Sequence, residues 1–273
     1  MNGLDEEAKK SPMMRERILE TKPTKDIYLA GGCFWGTEHY FKQIEGVAIT
    51  EVGFANGHTE NPTYKEVYTD QTGFAETVFV RYYPDVVSLE FLLQMFFKAI
   101  DPTSLNKQGH DEGTRYRTGV YYTDPADLPI IEKVFAEEQK NYEQLLTVEK
   151  LPLQNFYTAE EYHQDYLDKT PDGYCHLPLS LFEFARQTRR ISQMEQRLNR
   201  LSSIMKQHPA TLDKSLQDDI AALEKYYGSD EWRKDLADDE AGRLPKGLKR
   251  GVLSEDGIWN LLSDYRELNK DIK

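Results

Sequence analysis

The apolar run Ile27-Tyr28-Leu29-Ala30 ends on Gly31-Gly32, after which Phe34, Trp35, Tyr40, Phe41 and Ile44 recur at helical spacing as far as Gly46. A short apolar run bounded by glycines reads as a strand, and the period that follows reads as a helix. A strand passing directly into a helix confines this stretch to a β-α unit. Cys33 lies at the junction.

The next segments extend that unit. Thr50 to Ala55 and Ala75 to Tyr83 read as strands, separated by the Asn-, Gly-, Pro- and Thr-rich loop from Asn56 to Thr63. Ser88 caps a helix in which Leu89, Leu92, Leu93, Phe96 and Ile100 form one apolar stripe, closed by Asp101-Pro102. Thr118 to Thr123 supplies another strand. The order β-α-β-β-α-β predicts an α+β fold with a ferredoxin-like split βαβ core, a mixed sheet carrying its helices. Asp124-Pro125 should open a further helix bearing Leu128, Ile131, Phe135, Tyr142 and Leu145, and Thr158 with Glu161 forms a capping-box pattern for a short one.

The texture changes near Ala185. Ile191, Met194, Leu198, Leu201 and Met205 step by three and four until Pro209, and Leu212, Leu216, Ile220, Leu223 and Tyr227 read as an antiparallel partner helix. Ser254 starts a third with Ile258, Leu261, Leu262 and Tyr265. The expected organisation is a leader over 1–24, an α+β domain over 25–183 and a C-terminal all-α domain over 184–273.

Charge divides at the same place. Of the net −13, residues before 184 hold 17 basic and 31 acidic side chains, and the remainder 17 and 16. An acidic surface repels phosphate backbones, so no nucleic-acid partner is expected. No apolar run approaches the ~18 residues that span a bilayer, and Met1 to Thr24 lacks the apolar core of a secretory signal. No membrane role is expected, and the reading is a cytoplasmic protein.

Cys33 and Cys175 are the two cysteines, too few for a disulfide scaffold or a thiolate zinc site. Most such cysteines are small buried hydrophobes. Cys33 differs in its position. The first turn of a helix offers unpaired N–H groups and the positive dipole end, both of which favour a thiolate. Gly31 and Gly32 permit a tight turn, and Phe34 and Trp35 set aromatic surface beside the sulfur, suited to a methyl group. On the strand, Glu76, Val78, Val80 and Tyr82 share one face, and desolvation at the end of that apolar row would favour a protonated carboxyl.

Gly31-Gly32-Cys33-Phe34-Trp35-Gly36 closely resembles the signature of the A-type peptide methionine sulfoxide reductases. Asn61-Pro62-Thr63-Tyr64, Thr72-Gly73-Phe74-Ala75-Glu76, the block from Gln108 to Arg117 and Gly173-Tyr174-Cys175 resemble further family motifs in family order. The likeness covers about residues 25–183. It implies that Cys33 attacks the sulfur of methionine-(S)-S-oxide while Glu76 protonates the oxygen, leaving methionine and a Cys33 sulfenic acid. It further implies that Phe34 and Trp35 hold the methyl group, and that Tyr64, Asp111 and Tyr116 bond near the oxygen. Cys175, on a mobile segment, would resolve the sulfenic acid as a Cys33-Cys175 disulfide reopened by thioredoxin. The implied substrates are methionine sulfoxide in proteins, in peptides or free, the implied role is protein repair, and neither cofactor nor metal is expected.

Three positions depart from the family pattern: Phe74 where His is frequent, Asn56 where Gly is usual, and Tyr68 where many members have a non-catalytic Cys. A Cys-His hydrolase using His39, His58, His110 or His163 stays open as an alternative, although it needs neither Glu76 nor Cys175. Glu160, Glu161 and His163 read as a solvated helix face. The segments Tyr226 to Arg233 and Leu244 to Ser254 resemble a small helical bacterial domain of uncharacterised function, for which a docking or oligomerising role is open, and Lys246, Lys249 and Arg250 read as a solvated basic loop.

Overall fold

The computed structural model describes residues 22–207 and 213–271. Most of the expected leader, together with Pro209 and Leu212, lies outside the described residues. The chain forms two compact units that divide between Phe182 and Glu183.

The first unit is built on a mixed sheet. Its elements are β1 (Lys25–Gly31), α1 (Phe34–Phe41), β2 (Val47–Ala55), α2 (Tyr64–Val67), β3 (Ala75–Tyr82) and α3 (Leu89–Ala99). A two-stranded ribbon β4 (Lys107–Gln108) and β5 (Asp111–Glu112) follows, then β6 (Thr118–Tyr122), α4 (Leu128–Glu138), β7 (Glu149–Pro152), β8 (Phe156–Thr158) and α5 (Tyr166–Lys169). Strand order in the main sheet is β7-β6-β1-β3-β2-β8. The β6-β7 pair is parallel, and the other four pairs are antiparallel.

Alternation along the strands gives each face its own packing. Ile27, Leu29, Val52, Phe54, Val78 and Val80 are fully buried on one face. On that side α1 lies against β2 and β3, and α3 against β1. Ser88 begins α3 as expected, its Oγ accepting from the Phe91 N–H at 3.1 Å. Burial of each large side chain here contributes about 1.5–3 kcal/mol, and truncating Leu92 to Ala would cost about 2–5 kcal/mol. The opposite face is smaller, with Ala30, Ala55, Ala75 and Tyr121 beneath Tyr28, Leu153 and Phe156.

Two local expectations are corrected. The helix opened by Asp124-Pro125 stops at Glu138 and gives way to a single 3-10 turn, Gln139–Asn141, so Tyr142 and Leu145 lie beyond it. Leu145 is 81% exposed, which shows that its helical spacing from Phe135 was coincidental. Thr158 ends β8, and its hydroxyl bonds to Glu51 across the sheet edge rather than capping a helix. A real capping box lies at Thr63 and Glu66, where Oγ1 accepts from the Glu66 N–H at 3.3 Å and Glu66 accepts the Thr63 N–H at 2.8 Å.

The second unit is helical. Helix α6 (Leu179–Met205) begins before the dividing point, and α7 (Lys214–Tyr226), α8 (Asp230–Glu240) and α9 (Glu255–Asp271) follow. Ile191, Leu198, Leu201, Leu216, Ile220, Leu223, Ile258, Leu261 and Leu262 are buried, as their spacing predicts, whereas Met194 and Met205 are half-buried. Sequence reading missed α8, whose apolar content is little more than Trp232. Asp235 on α8 is fully buried and anchors this unit by accepting from Arg190, Gln187 and Tyr226 at 2.6, 2.9 and 2.7 Å. Arg250 of the basic loop pairs with Asp239 at 2.9 Å.

Candidate active site

The junction between β1 and α1 is shaped by backbone. Gly32 has φ +84°, and a Cβ there would stand 2.6 Å from Gln108 Cβ, so the turn needs glycine for both its angle and its space. Cys33 follows as the N-cap of α1 and is 5% exposed. Burial pushes its thiol well above the ordinary range, and the Glu76 charge pushes in the same direction, while the Trp35 and Gly36 N–H groups pull it down. The helix terminus therefore acts as expected but does not dominate. Desolvation wins.

Glu76 stands opposite Phe54 in the β2-β3 register and is 1% exposed. Its Oε2 accepts the Phe34 N–H at 3.1 Å, the residue next to Cys33. Burial raises its carboxyl to about 8, with the Phe34 N–H and Arg115 acting against the rise. At neutral pH this is a protonated acid beside a thiol. Because the Glu76 charge raises Cys33, protonating Glu76 also eases ionisation of the thiol.

An aromatic wall surrounds the pair. Phe34 lies 5.9 Å from Phe54, 6.4 Å from Tyr64 and 5.2 Å from His163 between ring centres. Trp35 stacks on Tyr166 at 3.9 Å, and its indole N–H donates to His163 Nδ1 at 3.1 Å. His163 is 1% exposed, which overturns its reading as part of a solvated helix face. It fixes the orientation of Trp35. Glu160 likewise is committed, accepting the Tyr64 N–H at 3.0 Å.

Tyr64 opens α2, and burial raises its phenol far above the ordinary value, with Glu76, Tyr116 and Cys33 adding to the rise. Tyr116 closes a 3-10 turn over Thr114–Tyr116, and burial followed by Glu76 pushes it to about 12. Both phenols stay protonated and can donate. Arg115 lies over the rings of Tyr116 and Tyr68 at 4.4 and 4.2 Å and pairs with Asp70 at 2.7 Å. Asp111, on the ribbon strand β5, has Oδ2 buried and without a hydrogen-bond partner.

Cys175 is half-buried, with its thiol raised chiefly by burial. A Cβ on Gly36 would come within 3.0 Å of Cys175 Sγ and 3.1 Å of His176 Nδ1, so the second thiol rests against the α1 backbone three residues past Cys33. Cys33, Asp111 and His176 bring their donor atoms within 4.8 Å of one another. The eight residues singled out from sequence thus occur around one end of the central strands β1 and β3 and one helix start. Arg115, Asp70 and His176 were missed, although Arg115 lies inside a quoted block and His176 follows Cys175 directly. Their weight depends on contacts between distant segments, which spacing does not encode.

The departures have structural accounts of unequal depth. Asn56 has φ +54°, a left-handed conformation that glycine adopts freely and that asparagine tolerates best among other residues. Phe74 is buried edge-on against Tyr157 at 5.7 Å, and Tyr68 is 55% exposed beneath Arg115.

A β-α-β scaffold with a buried acid beside an N-cap thiol defines a sulfur-directed oxidoreductase architecture, and comparison with known proteins specifies it. The family model described as peptide methionine sulfoxide reductase matches residues 25–198, and the chain belongs to that family. A second model, described as a domain of unknown function (DUF4298), matches residues 191–273. The peptide methionine sulfoxide reductase MsrA of Clostridium acetobutylicum is 54% identical over 159 residues, covering 58% of this chain and 98% of that protein. MsrA of Clostridium perfringens is 56% identical over 155 residues, covering 57% and 99%. Among solved structures, reduced Mxr1 from Saccharomyces cerevisiae aligns with TM-score 0.54 and 42% identity, covering 56% of this chain and 88% of that one. Methionine sulfoxide reductase A of Corynebacterium diphtheriae aligns with TM-score 0.52 and 39% identity, covering 57% and 79%. This chain is accordingly an enzyme that reduces methionine sulfoxide. No helix among the described residues is long and apolar enough to cross a membrane.

Proposed function

We propose that the enzyme reduces methionine-(S)-S-oxide through Cys33, with Glu76 as proton donor and Cys175 as the resolving thiol. The observation that carries this reading is the buried, raised carboxyl of Glu76 bonded to the backbone beside Cys33. The Cys33 sulfur bonds to the sulfoxide sulfur as the oxygen is protonated; the hydroxyl then passes to the Cys33 sulfur while the S–O and S–S bonds to the methionine sulfur break, giving the Cys33 sulfenic acid and methionine. Glu76 supplies the proton to the developing oxyanion, and Tyr64 and Tyr116 donate to it. Phe34 and Trp35 form the methyl pocket, and Asp111 bonds a water at its edge. Cys175 then displaces water from the sulfenic acid, giving the Cys33-Cys175 disulfide that a thioredoxin-type dithiol reduces.

In this reading residues 25–183 form the catalytic domain of a cytoplasmic repair enzyme, and 184–273 a helical domain. The inner strand order β6-β1-β3-β2 supports a ferredoxin-like split βαβ core. Both free and peptide-bound sulfoxides remain within the proposed substrate range.

The test supplies each sulfoxide epimer with thioredoxin and measures the methionine formed. Turnover is expected for the S epimer alone. Cys33→Ser should be inactive, and Cys175→Ser should complete one turnover and then stall. Sustained thioredoxin-dependent turnover by Cys175→Ser would remove the resolving role.

A further inference from the structure

His176 has no part in the proposed sulfoxide chemistry, yet it stands with two residues that do, Cys33 and Asp111. Cys33 Sγ, a carboxylate oxygen of Asp111 and a ring nitrogen of His176 lie within 4.8 Å of one another. His176 Nε2 stands 3.1 Å from the Gly31 carbonyl oxygen, and a carbonyl can only accept, so Nε2 carries the proton and Nδ1 keeps its lone pair. That Nδ1 is buried with no hydrogen-bond partner, and so is Asp111 Oδ2, although the Tyr174 phenol is hydrogen-bonded to the same carboxylate. Two orphaned acceptors cannot satisfy each other. A sulfoxide brings only a further acceptor oxygen, and the water proposed above at Asp111 leaves His176 Nδ1 without a donor.

Leaving buried acceptors unpaired is unfavourable, and a cation would relieve both positions. An imidazole whose other N–H is given to a backbone carbonyl is the usual setting of a metal-bound histidine, as it fixes the tautomer and aims the lone pair. Thiolate, imidazole and carboxylate together select Zn²⁺-like ions over Mg²⁺ or Ca²⁺, which prefer oxygen. Bond lengths of about 2.0–2.3 Å place tetrahedral zinc ligands roughly 3.3–3.8 Å apart, against a present spacing of up to 4.8 Å.

We propose that the reduced enzyme binds one thiophilic divalent cation, of the Zn²⁺ class, through Cys33 Sγ, Asp111 and His176 Nδ1. Binding exchanges the Cys33 S–H proton for the metal, and the proton leaves to solvent with no change in oxidation state. A fourth position stays open to water. The ion is an occupant of the resting thiol and not a cofactor of the reaction. Binding stands on these three side chains alone. Its consequence, a nucleophile silenced until the metal is removed, rests on the role proposed above for Cys33.

The full chain, reduced with a phosphine and freed of metal, is titrated with Co²⁺ as a spectroscopic stand-in and with Zn²⁺ against a chromophoric chelator. One Co²⁺ per chain with a sulfur-to-metal charge-transfer band is expected, lost in Cys33→Ser and kept in Cys175→Ser. His176→Asn and Asp111→Asn should each weaken Zn²⁺ binding at least tenfold while keeping the wild-type circular dichroism. In the wild type, Zn²⁺ should shield Cys33 from iodoacetamide, read by mass spectrometry, a measurement that needs no variant. A band that survives in Cys33→Ser, wild-type affinity in His176→Asn, or Cys33 alkylation unchanged by Zn²⁺ would each overturn the site. Failure of the epimer assay with these binding results intact would leave the metal site standing and remove only its regulatory consequence.

Discussion

Replacing Glu76 with Gln keeps the shape of the side chain and an oxygen for the Phe34 N–H, and it exchanges the titratable O–H for an amide that cannot act as an acid. In the wild type, burial carries this carboxyl from an ordinary 4.5 to about 8. At ~1.36 kcal/mol per pH unit, that difference is on the order of 5 kcal/mol of preference for the neutral acid. A raised carboxyl contributes stability that is fully present below about 4.5 and is lost as pH rises through about 8. The Gln variant should lack this loss, so its stability relative to wild type should climb across that window. Chemistry should move the other way. Loss of a general acid lowers the single-turnover rate by roughly 10² to 10⁴, and the wild-type rate should fall above pH ~8 as the carboxyl ionises. Cys33 ionisation runs in the opposite sense, so the variant should keep only a rate that rises with pH. The assays are carboxyl NMR of glutamate-labelled enzyme and rapid-quench reduction of the S epimer from pH 5 to 9. A Glu76 signal titrating near 4.5, or a Gln variant at full speed, would refute the assignment of a neutral acid.

Gly36→Ala places a methyl carbon 3.0 Å from Cys175 Sγ. The first turnover should proceed, while disulfide formation slows several-fold, read by mass spectrometry of quenched samples; an unaltered rate would show that Cys175 does not rely on this seat. Asp235→Ala leaves the Arg190 guanidinium with only its longer 3.8 Å pairing to Glu231 and removes the acceptor of the buried Tyr226 hydroxyl. It should destabilise that unit by about 3–5 kcal/mol, read by amide exchange across α7 and α8, and exchange equal to wild type would reject the anchor.

Legibility from sequence followed locality. The β1-α1 junction, the Ser88 cap and the face shared by Glu76, Val78 and Val80 are written in neighbouring residues, so periodicity found them. The edge strands β7 and β8 are short and partly exposed, and carry too few apolar residues to announce themselves. Helix α8 is mostly charged and owes its place to the buried Asp235 cluster. The site residues were named by likeness to family motifs, yet the reversal at Cys33, where burial outweighs the helix terminus, is visible only in three dimensions. The same holds for His163 and His176, whose partners lie 128 and 145 positions away.

The seat of Cys175 against the Gly36 backbone bears on how tightly redox state and folding are tied. Joining two positions some 140 residues apart in an unfolded chain costs roughly 5 kcal/mol of loop-closure entropy. In the folded first unit that search is already complete, so the second thiol meets the first at a high effective concentration. By thermodynamic closure, whatever folding adds to the strength of the proposed Cys33-Cys175 bond, that bond would return as resistance to unfolding. The reduction potential of the pair is then a gauge of how firmly the segment around Gly173 is docked, and loosening that segment should make the disulfide easier to reduce before it alters the sulfoxide step.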